Sequence, residues 1–147
     1  MAGTHAEQLI ARGIRAANSG KTSLALECFE EAVKLRNTPA AWSYLAFCLA
    51  RERRQFEHAV QLCQEAIRKD PRNPDHYLNL GRVHLLAGHR TEAIHLFRQG
   101  LLYGANPHIE AELRRLGLRK PPVVSFLRRD HPINKYLGIF LKKLRLR

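Results

Sequence analysis

Apolar residues recur along the chain at three- and four-residue intervals, so the pattern predicts amphipathic helices and not strands. Shifting the sequence against itself by 34 residues superimposes three segments. Ala25, Ala59 and Ala93 form one column, Phe29, Cys63 and Phe97 a second, and Ala32, Ala66 and Gly100 a third. Leu26, Val60 and Ile94, then Val33, Ile67 and Leu101, add aliphatic columns beside them. Each segment reads as one helix of about three to four turns. A second helical stretch precedes each, with its own small residue, Gly13, Ala46 or Gly81. Small residues in register let two helix backbones approach, and a neighbouring aromatic fills the space beside them. The intervals of 33 and 35 residues between those three place one extra residue in the middle unit's internal turn, around residues 51–55.

The punctuation repeats with the helices. Thr38-Pro39, Asn73-Pro74 and Asn106-Pro107 each put a capping side chain before a proline suited to a first helical turn. Thr4 with Glu7 reads as a capping box, and Asn18-Ser19-Gly20 and Ala87-Gly88-His89 as tight turns within the first and third units. Residues 107–117 read as a short capping helix, with Ile109, Leu113 and Leu116 facing back onto the third unit.

A helix pair repeating every 34 residues resembles the tetratricopeptide repeat (TPR). The third unit carries Tyr77, Leu80, Gly81, Ala93, Phe97 and Gly100; the second carries Trp42, Leu45, Ala46, Ala59, Ala66 and Pro71, with Cys63 where an aromatic is usual. The first carries Leu9, Gly13, Ala25, Phe29 and Ala32, with Leu9 in place of Trp or Tyr and no closing proline. The expected fold is all-α: three tandem repeats at about 5–38, 39–73 and 74–106 in a short right-handed solenoid, then the capping helix, giving a domain over 5–117.

The resemblance implies a non-catalytic protein-interaction module whose first helices line a concave face. Carried over residue by residue, that face is expected to offer a partner groove of Ile10, Ile14, Tyr44, Phe47, Asn79, Arg82 and Leu86 to a peptide or helix. Relatives that hold the acidic tails of heat-shock chaperones use a clamp of two Lys, an Arg and two Asn. The matching positions here are Ile10, Ile14, Tyr44, Asp75 and Asn79, which disfavours that ligand.

The chain has 147 residues, the size of one domain, and a net charge of +12. The charge is unevenly placed. Residues 1–112 hold 14 basic and 12 acidic side chains, whereas residues 113–147 hold 11 basic ones and a single acid, Asp130. Pro121-Pro122 marks an extended connector over 118–132. Residues 133–147 read as a basic amphipathic helix whose stripe is Ile133, Tyr136, Leu137, Phe140, Leu141 and Leu144. That stripe is expected to dock on the protein itself. A peripheral-membrane or nucleic-acid-associated adaptor acting through the basic tail is the alternative, without a strong case for either surface.

Cys28, Cys48 and Cys63 lack a C-x-x-C pair and sit among apolar neighbours, as buried reduced thiols do. Residues 1–17 have no continuous apolar core, and the expected location is the cytoplasm. Gly20-Lys21-Thr22 ends like a phosphate-binding loop, but Arg15 stands where the first glycine belongs, so it reads as an inter-helix turn. His84, His89 and His95 lack the spacing that puts metal ligands on one helical face. No serine or cysteine nucleophile shows a base and an orienting partner in sequence. Neither an enzyme, a metal nor a cofactor is expected.

Overall fold

The computed structural model describes residues 2–118. The chain divides after Arg115, and every helix among the described residues lies in the unit up to that residue. The expectations for the connector and the tail stripe lie outside the described residues, apart from Leu118. Among the described residues there are seven helices and no strand: α1 (Ala2–Asn18), α2 (Thr22–Leu35), α3 (Pro39–Arg53), α4 (Phe56–Lys69), α5 (Pro74–Leu86), α6 (Arg90–Leu101) and α7 (Pro107–Arg115). Three-residue or shorter turns fold α1 on α2, α3 on α4 and α5 on α6, while α3 also packs against α1 and α5. First helices therefore stand side by side, with second helices behind them.

The three proline caps form as the sequence implies. Thr38 Oγ1 accepts from the Ala41 amide at 3.4 Å, Asn73 Oδ1 from Asp75 at 3.0 Å, and Asn106 Oδ1 from His108 and Ile109 at 3.0 and 3.1 Å. Thr4 does not cap α1, because the helix begins two residues earlier. Its expected partner Glu7 instead accepts from Arg36 at 2.9 Å. Gly20 and Gly88 turn their units at φ +83° and +86°. The middle unit makes the same turn on Arg54 at φ +56°, a side chain in the left-handed region, with its guanidinium 4.7 Å from the Phe56 ring centre.

Close approach governs the interior. A Cβ at Gly81 would lie 2.3 Å from the Phe97 ring, and one at Gly13 would lie 2.7 Å from Phe29. In the middle unit Ala46 carries that Cβ, and the facing residue is the smaller Cys63; both are fully buried. Glycine with phenylalanine and alanine with cysteine are two ways to fill one gap. The last small column follows the same rule, since a Cβ at Gly100 would meet Ile109 of α7 at 2.8 Å. Gly81→Ala should therefore lower stability by about 1–3 kcal/mol through overpacking. Gly3→Ala, where an added Cβ meets nothing within 4 Å, should leave stability unchanged or slightly raised. Urea denaturation of the two variants checks this, and equal midpoints would contradict the packing described.

Candidate binding cavity

The central helix α3 is enclosed by α1, α2, α4 and α5, so positions expected to face a groove become core. Tyr44 is 1% exposed and stacks on Phe29, with ring centres 5.6 Å apart and planes 16° from parallel. Burial, with Asp75 nearby, pushes its hydroxyl pKa well above the ordinary tyrosine value. Asn79 is fully buried and Phe47 almost so. Ile10 and Ile14 are half-buried against the core of the first two units, and Leu86 packs against both core clusters. Free Tyr44 and Asn79 side chains on a groove surface are thus corrected: one fills the core and the other is held by hydrogen bonds.

Arg82 changes role most. It is 6% exposed, and its guanidinium stacks 4.8 Å from the Phe47 ring centre. Its Nε donates to Glu112 Oε1 of α7 at 3.3 Å, and its Nη1 donates to Asn18 Oδ1 of α1 at 2.9 Å and to Asn79 Oδ1 at 3.3 Å. Burial lowers its pKa while Glu112 opposes that shift. A residue expected to be a binding handle separable from the fold is instead tied into it.

From Arg82 a polar chain runs through the interior. Arginine has no acceptor, so Asn79 must receive from it through Oδ1 and donate onward through Nδ2, which lies 3.3 Å from Ser43 Oγ. Ser43 Oγ in turn lies 2.8 Å from His76 Nδ1. The Asp70 carboxylate beyond the ring leaves Nδ1 to accept from the hydroxyl and favours the imidazole proton on Nε2. That nitrogen faces Asp70 Oδ2 at 3.3 Å, close enough for attraction but out of line for a good hydrogen bond. The polar chain thus runs from the cation to the carboxylate.

Sequence reasoning missed this chain, which includes a serine, a histidine and an aspartate in contact order. The 33-residue interval from Ser43 to His76 is close to one repeat, and a search for polar residues inside buried columns would have found it. Ser43 and His76 are both fully buried, so no substrate carbonyl reaches the hydroxyl. The trio joins neighbouring repeats.

Burial holds the His76 pKa below its ordinary value, with Asp70 and Asp75 opposing. The unfolded chain, whose histidine titrates near ~6.5, takes up a proton first as the pH falls. The contribution of His76 to stability is thus present above that pH and lost below it. Between about pH 7.5 and 5.5 the protein should lose stability, and His76→Gln should lose less over the same interval. His84, also held down by burial, adds a change of the same sign. The difference between variant and parent isolates His76; equal slopes in chemical denaturation would contradict the assignment.

Above Arg82 a cavity of about 420 Å³ opens where α1, α3 and α5 end. Phe47, Leu85, Leu86 and Ala17 form its apolar wall, Ser19 and Gly20 one edge, and Arg51, Arg82, Glu112 and Arg115 its charged surface. Of the expected groove residues, the structure gathers Phe47, Arg82 and Leu86 here and leaves Ile10, Ile14, Tyr44 and Asn79 outside. The turn formed by Gly20-Lys21-Thr22 is tied to α3, Thr22 Oγ1 donating to Glu52 at 2.5 Å. Burial pushes the Cys48 thiol up to about 12 and the Cys63 thiol higher, so both stay protonated as small apolar side chains. Among the described residues no helix is long and apolar enough to cross a membrane.

Stacked antiparallel helix pairs with first helices on one side define a helical repeat protein. Two family models, both described as tetratricopeptide repeat, match residues 10–74 and 50–116. The chain belongs to the tetratricopeptide repeat family. It is similar in structure to the TPR domain of Arabidopsis OM64, at 24% identity over 80% of this chain and 98% of that one, with a TM-score of 0.59. The second TPR domain of human RPAP3, solved with an HSP70 peptide, matches at 21% identity over 81% of this chain and 100% of that one, with a TM-score of 0.55. The Yersinia enterocolitica type III secretion translocator chaperone SycD matches at 21% identity over 76% of this chain and 83% of that one, with a TM-score of 0.51. No curated protein matches the chain significantly in sequence.

Proposed function

We propose that this chain is a non-catalytic cytoplasmic interaction module that takes a peptide, or one face of a helix, on its concave side. The observation that carries the reading is the cavity itself. Three repeats and the capping helix contribute to one solvent-open hollow with an apolar wall and a cationic surface. Such a mixture suits a segment that inserts an apolar side chain beside a polar one. Phe47 and Leu86 keep their groove role as its wall, while Ile10 and Ile14 would extend the surface along α1.

Solved neighbours of this fold hold chaperone peptides, HSP70 on one RPAP3 domain and HSP90 on another. The comparison therefore gives no support to setting chaperone tails aside. That expectation rests on the five side chains Ile10, Ile14, Tyr44, Asp75 and Asn79 alone.

The test is a displayed library of random 12-residue peptides selected on the full chain, followed by affinity measurement on a selected sequence. Leu86→Asp and Arg51→Glu should each weaken binding by about tenfold or more, since anchors within one pocket dominate such interfaces. Lys34→Glu, on the exposed end of α2, should change it little. Selected peptides that bind Leu86→Asp and Arg51→Glu as tightly as the parent would place the site on another face.

A further inference from the structure

Charge in the cavity does not balance. Glu112 Oε1 accepts from both Arg82 Nε, at 3.3 Å, and Arg115 Nη2, at 2.8 Å. Two guanidinium groups thus share one carboxylate, and Arg51 adds a third cation to the same lining. Arg82 cannot move out to water to relieve this. It is 94% removed from solvent (6% exposed) and fixed by Glu112, Asn18, Asn79 and the Phe47 ring. Its Nη1 hydrogens are spent on the two asparagines, whereas Nη2 makes no hydrogen bond among the described residues and, not being a buried unpaired atom, opens to solvent. A guanidinium fixed on three sides in the lining of an open cavity, with one nitrogen open to solvent, is a preorganised donor for a ligand acceptor.

We propose that the cavity takes the side-chain carboxylate of an aspartate or glutamate on the bound segment, received by Arg82 Nη2, with Arg51 and Arg115 closing over it from the rim. This rests on the reading that the concave side binds a peptide, and it adds what that peptide must carry. The apolar wall of Phe47, Leu85 and Leu86 selects aliphatic neighbours for the acidic residue. None of the three cations is at a position matching the chaperone-tail clamp, so a free C-terminal carboxylate is not the required group. Arg115, with its side chain 71% exposed, and the exposed Arg51 can swing onto a ligand, while Arg82 supplies the fixed point.

The probe is a blocked tripeptide, N-acetyl-Leu-Glu-Leu-amide, whose only charge is the glutamate side chain. It is titrated into the full 15N-labelled chain while the Arg82 Nε–Hε signal and the backbone amides around the cavity are followed. The Glu peptide should shift these signals, and its Gln counterpart should bind about tenfold or more weakly, as expected when a charge-assisted pair is lost. Arg51→Gln and Arg115→Gln, both at exposed rim positions, should each reduce affinity about threefold or more without unfolding the chain. Equal binding of the Glu and Gln peptides at the cavity would overturn the carboxylate inference and leave the groove reading standing. An acidic peptide that perturbs only other faces would overturn both. Inorganic phosphate or a short single-stranded oligonucleotide shifting the Arg82 signal more strongly than the Glu peptide would replace this ligand with a phosphate.

Discussion

One guanidinium holds this small stack together at its centre. Arg82 sits on α5, yet its hydrogen bonds reach α1 through Asn18 and α7 through Glu112, while the Phe47 ring of α3 covers its face. Burying an arginine costs far more than burying a leucine unless its nitrogens find acceptors. Here oxygens of Asn18, Asn79 and Glu112 on three helices take Nε and Nη1, and the Phe47 ring of a fourth helix covers the face. The arrangement ties the first, second and third units and the capping helix together at one point, whereas most contacts in such a stack lie between neighbouring repeats.

The same interior shows why polar burial and close apolar packing need each other. Glycine against phenylalanine in the first and third units, and alanine against cysteine in the middle one, draw the helices of each pair to contact distance. Contact at that range removes water from the columns that carry Ser43, His76 and Asn79, so these groups must satisfy one another. They form one chain from Arg82 to Asp70, whose carboxylate beside Nε2 favours the histidine tautomer protonated there. A neutral, buried imidazole then links the stability of the stack to pH.

Much of this fold was legible in the chain because its signals are local and repeated. The 34-residue columns, the three capped prolines and the left-handed turn residues Gly20 and Gly88 each follow from steric rules at one position. The cap at Thr4 was misread, since nothing in a short polar stretch shows that α1 continues past it while Glu7 turns to Arg36. The site was less legible. Helical periodicity identifies which residues share a face but not whether that face is covered, and α3 is covered on nearly every side. Tyr44, Asn79 and Arg82 looked like exposed handles for that reason. The cavity that replaces the expected groove depends on Asn18, Glu112 and Arg115, whose meeting with Arg82 spans 64 residues for Asn18 and 30 for Glu112, and no local pattern encodes it.

The most direct test of Arg82 as the hub is a double-mutant cycle with Glu112, read by urea denaturation of Arg82→Met, Glu112→Met and the double variant. Glu112→Met leaves the buried Arg82 without its carboxylate, Arg82→Met leaves Glu112 only the exposed Arg115, and the double replacement leaves an apolar pair. A coupling of about 1.5 kcal/mol or more, with the double variant more stable than additivity of the singles allows, is the expected result. Additive losses, with coupling below about 0.5 kcal/mol, would show that the two charges do not depend on each other and would contradict the account.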